Sequence, residues 1–194
     1  MLANIYLHAF DKMWQQSNLP GTLVRYCDDF VILLHPKTDR GWILTQVRGM
    51  LGRLGLELHP QKTCVVEAKD GFDFLGVHIR LCRVRKPKAK RKYSARIWPS
   101  RPSQQRIRQK VKDVIGRRYG RTLKEMIKEL NPVLRGWCNY HRRAGAERRH
   151  LRKLNGFVRE RLRIFLKRKH SDPTRGTRRL LGNRLVRLGL FQLA

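Results

Sequence analysis

Apolar residues recur along the first part of the chain with two different periods. Leu2, Ile5, Ala9, Phe10 and Met13 fall at helical spacing, which predicts a helix over residues 2–14. After the Pro20-Gly21 turn signal, residues 23–26 and 30–34 are β-prone runs separated by Cys27-Asp28-Asp29, the pattern of a hairpin with an acidic tip. Thr38 and Asp39 are capping residues for a second helix with Trp42, Ile43, Val47, Met50, Leu51 and Leu54 on its core face, stopped by Gly55. A second β pair is expected from residues 63–67, an Asp70-Gly71 turn, residues 72–75, and residues 77–81 after Gly76. Helix, hairpin, helix and strands make an α+β unit, and about 80 residues of this kind fold alone only marginally.

Beyond Pro99 and Pro102 the period becomes helical. Ser103 opens a helix with Ile107, Val111, Val114 and Ile115 on one face. Thr122 and Glu125 have capping-box spacing ahead of the stripe Leu123, Met126, Ile127 and Leu130. Asn131-Pro132 reads as the end of that helix and the cap of another, which carries Leu134, Trp137, Cys138 and His141. The longest helix, residues 147–169, sets Leu151, Leu154, Val158, Leu162, Phe165 and Leu166 along one side and Arg or Lys on the others. The expectation is a bundle of short helices, apolar inside and cationic outside.

Charge divides the chain at the same place as periodicity. Of 194 residues, 45 are Lys or Arg and 14 Asp or Glu, a net charge of +31. Residues 1–80 hold 9 basic and 8 acidic side chains, whereas residues 81–194 hold 36 and 6. The break near Arg80 opens a basic linker that includes Lys86, Lys88, Lys90, Arg91 and Lys92. A half so charged repels itself unless a polyanion neutralises it. Nucleic acid fits better than a lipid surface, because the apolar stripes are regular enough to pack on one another. No apolar run approaches the roughly 18 residues of a membrane span. Cys27, Cys64, Cys82 and Cys138 form no Cys-x-x-Cys pair, so a disulfide scaffold is disfavoured and a reducing cytoplasmic setting is expected: bacterial cytosol or nucleoid, or an organelle matrix.

Two readings compete for Asp28 and Asp29. Asp is a common turn former. Adjacent carboxylates fixed at a sheet edge, in a chain otherwise built for polyanions, also suit hard oxygen coordination of Mg²⁺ for phosphoryl or nucleotidyl transfer. Cys64, His78 and Cys82 invite a zinc reading, which is disfavoured because His78 and Cys82 sit among strand-like apolar residues. No Ser-His-Asp arrangement, phosphate-binding loop or dinucleotide fingerprint is visible.

The residues Leu2-Ala3-Asn4-Ile5-Tyr6-Leu7-His8 and Arg25-Tyr26-Cys27-Asp28-Asp29-Phe30 resemble the palm of group II intron-encoded reverse transcriptases/maturases. Cys27 stands where that family's tetrad has alanine. Leu54-Gly55-Leu56-Glu57-Leu58-His59-Pro60-Gln61-Lys62 and Phe72-Asp73-Phe74-Leu75-Gly76 are similar to the next two palm motifs. Leu130-Asn131-Pro132-Val133-Leu134-Arg135-Gly136-Trp137 resembles the maturase-domain signature, and Gly189-Leu190-Phe191 the family's ending.

The resemblance implies a partial palm over residues 1–82, a basic linker over 83–101 and an α-helical thumb/maturase domain over 102–194. It makes Asp28 and Asp29 the catalytic, Mg²⁺-binding pair and places Tyr26, Lys62, Leu75 and Gly76 near primer or nucleotide. Intron RNA would lie on Lys86, Lys88, Lys90, Arg91, Lys92, Arg106, Arg108, Lys110, Arg135, Arg142, Arg143, Arg148, Arg149 and Arg152. Trp137 and Tyr140 either join that surface or pack in the helical core. The implied partners are structured group II intron RNA, DNA and a separate N-terminal half of the enzyme.

The family's third carboxylate and its fingers are missing from the sequence, and Asp11 is no substitute on spacing grounds. The expectation is a chain that binds intron RNA and assists splicing but does not polymerise DNA alone. The alternative is a non-catalytic basic RNA-binding module.

Overall fold

A computed structural model describes residues 2–84, 92–116, 120–143, 148–169 and 182–193. The chain divides into two compact units, Met1–Asp70 and Gly71–Ala194. Among the described residues, this mixture of helices and small antiparallel sheets is the expected α+β class.

In the first unit, helix α1 (Leu2–Gln16) is followed by the antiparallel strands β1 (Thr22–Tyr26) and β2 (Asp29–Leu33) and by helix α2 (Arg40–Gly52). The strands pair from Thr22↔Leu33 to Tyr26↔Asp29, so Cys27 and Asp28 form a two-residue loop. Asp39 caps α2, its carboxylate accepting from the backbone N–H of Gly41 at 2.8 Å and of Trp42 at 3.2 Å. The core is Phe10, Trp14, Ile43, Val47, Met50 and Leu51, with Leu23, Phe30 and Ile32 packed against it.

Three expectations change here. On α1 the inward face runs through Leu7, Phe10 and Trp14, while Leu2, Ile5 and Ala9 are exposed. One hairpin and one helix cannot cover every apolar position, and the bulkiest side chains take the contact. Trp42, expected in the core, is 46% exposed, because Ile43 next to it claims the inward direction. Residues 63–67 form no strand, and Val65 and Val66 are both exposed.

The second unit opens with a three-stranded antiparallel sheet in the order β3 (Phe72–Phe74), β4 (Val77–Arg83) and β5 (Tyr93–Pro99). Leu75 and Gly76 join β3 to β4 with φ of 47° and 75°, the positive pair that a two-residue turn of the I′ kind demands. β5 pairs with the whole of β4, from Val77↔Pro99 to Arg83↔Tyr93. That strand lies within the stretch read from composition as linker. Its β-prone residues Tyr93, Ile97 and Trp98 are masked in the sequence by the surrounding Lys and Arg.

Helices α3 (Arg101–Ile115), α4 (Leu123–Arg143), α5 (Arg148–Lys169) and α6 (Gly182–Arg187) follow. Their shared core holds Ile107, Val111, Leu130, Leu134, Leu154, Val158, Leu162 and Phe165. The capping box at α4 is present: Thr122 N–H donates to the Glu125 carboxylate at 2.8 Å, and Glu125 N–H to Thr122 Oγ1 at 3.3 Å. Thr122 thereby holds Glu125 below the usual carboxylate range.

Asn131-Pro132 does not divide α4, which runs through it unbroken. A proline inside a helix costs about 3 kcal/mol. The buried stripe Ile127, Leu130, Leu134, Cys138 and His141 is continuous across it. At roughly 1.5–3 kcal/mol for each large apolar side chain, burying that stripe outweighs the break. Asn131 is used elsewhere. Its amide donates to Gly189 O at 2.8 Å and accepts from Phe191 N–H at 2.9 Å. Asn155 on α5 repeats the pattern on Leu193, at 2.8 and 3.0 Å. Two asparagine side chains thus act as strand-like partners that pin the C-terminal segment to the bundle.

Candidate nucleic-acid interface and carboxylate hairpin

The acidic tip of the first unit is held by Arg25. This side chain, 11% exposed, donates from Nε to Asp11 Oδ1 at 2.8 Å, from Nη1 to the Cys27 carbonyl at 2.7 Å and from Nη1 to Asn4 Oδ1 at 3.2 Å. Its Nη2 completes a two-point grip on Asp11. The hairpin loop is therefore clamped to α1 from below. The hydrogen bond from Arg25 holds Asp11 below the usual carboxylate range and raises Arg25 in turn. Cys27 itself sits at φ 54°, a region where a residue with a Cβ is strained by about 1–2 kcal/mol. Asp28 in the loop and Tyr26 and Asp29 at the strand ends beside it are all exposed.

Asp28 and Asp29 carry carboxylate oxygens, hard ligands of the kind Mg²⁺ takes. Asp11, the acidic residue upstream, is engaged by Arg25. Among the described residues no group of three or more His, Cys, Asp or Glu side chains could hold a metal ion. The described residues therefore do not complete a divalent site. His78 is engaged as well, its Nδ1 lying 2.6 Å from Asp73 Oδ1. Lys62 is exposed in the segment after α2.

In the second unit the expected cations Lys92, Arg106, Arg108, Lys110, Arg135, Arg142, Arg148, Arg149 and Arg152 are all exposed. Lys86, Lys88, Lys90 and Arg91 lie outside the described residues, as does the side chain of Arg143. Two of these cations also pack on rings: the Arg108 guanidinium lies 5.5 Å from the centroid of Phe157, and that of Arg135 5.5 Å from Phe191. Each joins two elements of the bundle, because a guanidinium plane is attracted to an aromatic face while its edge stays hydrated.

Four of the positions singled out from the sequence come together at one groove. The β3–β4 turn, α3 and α4 enclose about 570 Å³ lined by Leu75, Gly76, Arg106 and Lys110 and by the aromatic side of α4. Tyr140 donates its hydroxyl to the Leu75 carbonyl, and Trp137 Nε1 donates to Ser103 Oγ at 3.2 Å. Ser103 Oγ lies 3.0 Å from His141 Nε2. Burial pushes His141 down to about 4, so the ring is neutral at pH 7. Trp137 is half-buried and Tyr140 exposed, so the first serves packing and the second faces solvent.

Arg25, Asn131, Asn155 and the Ser103–His141 pair were missed by reading the sequence. Each role includes a partner at least 14 positions away and leaves no periodic trace.

No helix among the described residues is long and apolar enough to cross a membrane. Residues 1–79 match the family described as reverse transcriptase (RNA-dependent DNA polymerase). Residues 104–182 match the maturase-specific domain of group II introns. The chain is 29% identical over 143 residues to maturase-like protein 1 of Euglena gracilis, covering 73% of this chain and 28% of that protein. It is 31% identical over 148 residues to the group II intron-encoded protein LtrA of Lactococcus lactis subsp. cremoris, covering 65% of this chain and 25% of that one. The chain thus spans about a quarter of the length of the curated relatives it matches. With a reverse-transcriptase match carrying the Asp28-Asp29 hairpin and a maturase-domain match carrying the cationic helices, in that order, the chain belongs to the group II intron-encoded reverse transcriptase/maturase family.

Proposed function

We propose that this chain binds group II intron RNA through its helical unit and assists splicing by holding the folded intron. The observation that carries the reading is the coincidence of the maturase-specific match at residues 104–182 with a self-sufficient apolar core whose exposed positions are cationic. A bundle that buries its stripes has no need of a lipid surface, and its cations are left for phosphates. Phosphate contacts set register and affinity, while RNA shape and unstacked bases supply preference. The test is competition binding by the purified chain: a labelled group II intron RNA should be displaced by itself far better than by an unrelated structured RNA. Equal displacement contradicts the proposal.

A second role is supported by the hairpin. Tyr26, Asp28 and Asp29 stand at a clamped loop, yet the described residues offer no third carboxylate beside them. The chain alone is expected not to extend a primer. A separate N-terminal half that brings a further carboxylate would complete the pair, with Mg²⁺, RNA template and DNA primer as partners. Primer extension on an RNA template separates the cases: extension by the chain alone contradicts this reading. Extension that requires the added half and is abolished by Asp28→Ala supports it.

A further inference from the structure

The groove between the β3–β4 turn, α3 and α4 has two unlike walls. Arg106 and Lys110 stand four residues apart on α3, and neither has a hydrogen-bond or ion-pair partner among the described residues. The opposite wall is aromatic. Tyr140 is 51% exposed, and its ring is fixed because its hydroxyl is bound to the Leu75 carbonyl. The His141 ring lies 4.3 Å from Trp137 and 5.1 Å from Tyr140. The floor is open: a Cβ built at Gly136 meets nothing within 4 Å.

Beneath the aromatic wall lies a buried polar ring. His141 is 1% exposed and lines the groove, and its Nδ1 has no hydrogen-bond partner among the described residues. Such atoms are costly unless something completes them. With Nε2 engaged by Ser103, the neutral imidazole is held in one position beneath the two aromatic rings. A volume of about 570 Å³ accommodates one base with its sugar and phosphate, within the range of ordinary ligand pockets.

We propose that this groove takes one unpaired nucleotide, its phosphate on Arg106 and Lys110 and its base against Tyr140 and Trp137. A paired nucleotide cannot enter, because its base edge is occupied and its faces are stacked. The inference rests on the RNA-binding reading above and adds a position where the molecule distinguishes bulged from paired strands.

The test uses the whole chain and four labelled probes: a blunt RNA duplex, the same duplex with one bulged nucleotide, and the corresponding DNA pair. Wild type should prefer the bulged RNA by about tenfold or more, the scale of one stacked base. Gly136→Leu fills the groove from a helical position with free space around it, so the helix content should stay unchanged. It should erase the preference and leave blunt-duplex affinity unchanged. Tyr140→Ala should also erase it, and Tyr140→Phe should retain it. A preference confined to RNA assigns the groove to RNA, and one shared with DNA assigns it to either strand; both support the proposal. Binding without preference, or a preference that survives Gly136→Leu, overturns the groove while leaving the RNA-binding reading intact. Failure to bind any RNA overturns both.

Discussion

The two units of this chain solve opposite halves of the folding problem. Gly71–Ala194 buries an unbroken cluster from Ile107 to Leu193 and leaves its surface to Arg and Lys. Met1–Asp70 balances its charges but leaves Leu2, Ile5, Val24, Tyr26, Leu33 and Trp42 exposed around a core of six buried side chains. The helical unit has the larger apolar core and a strong excess of positive charge; the other has the smaller core and nearly balanced charge. An uncompensated cation calls for phosphate, whereas an exposed apolar patch calls for protein.

The strongest way to break this contrast is to open the helical core. Leu130→Ala should cost about 3 kcal/mol, measured by urea unfolding followed through helical circular dichroism, and should weaken intron RNA binding without touching a cation. A surface that bound equally well after the core was opened would show that the bundle does not organise its charges.

Acid should weaken the same unit next. His141 is held at about 4 in the folded state against about 6.5 unfolded. A depressed histidine leaves stability untouched above the unfolded value. As pH falls from about 6.5 to 4 the unfolded chain takes up a proton that the folded chain refuses, and stability drops by about 2 kcal/mol at pH 5. Denaturation at pH 7 and pH 5 should show that loss in wild type and a smaller one in His141→Gln.

Asn131→Ala sharpens the comparison by testing how the bundle is closed. Removing that amide strips partners from Gly189 O and Phe191 N–H and should cost about 1–3 kcal/mol by the same unfolding measurement.

Much of this arrangement was legible in the sequence. The stripes of α3 and α5 and the capping box of α4 follow from three- and four-residue spacing, and the acidic hairpin follows from its flanking β-branched runs. What failed did so for identifiable reasons. Pro132 reads as a stop because local propensity ignores the buried stripe on either side of it. β5 reads as linker because charge was weighed before alternation. Residues 63–67 read as a strand from β-propensity alone. The features built by tertiary placement were the least visible: Arg25 reaches Asp11 across fourteen positions, and the groove exists only where Leu75 and Gly76 meet α3 and α4.

Two smaller effects belong to the hairpin. Asp11→Asn should lower the stability of the first unit by about 1 kcal/mol near neutral pH. Because Arg25 depresses Asp11, the contribution of this pair is present above the usual carboxylate value of 3.8 and is lost as pH falls through the lower folded value. The variant should lack that acid-dependent step. Cys27→Gly should stabilise the loop by about 0.5 kcal/mol, because glycine adopts a φ of 54° without strain. A loss of stability instead would mean that the Cys27 side chain contributes more than its backbone strain removes.

The division of labour between the units is tested most directly by the salt dependence of intron RNA binding, measured for wild type and for Asp28→Ala/Asp29→Ala in parallel. Both proteins should lose about 10³-fold in affinity over a fourfold rise in salt, with the same log–log slope. A shallow slope, or a double variant that no longer binds, would contradict the assignment of the RNA grip to the cationic helices.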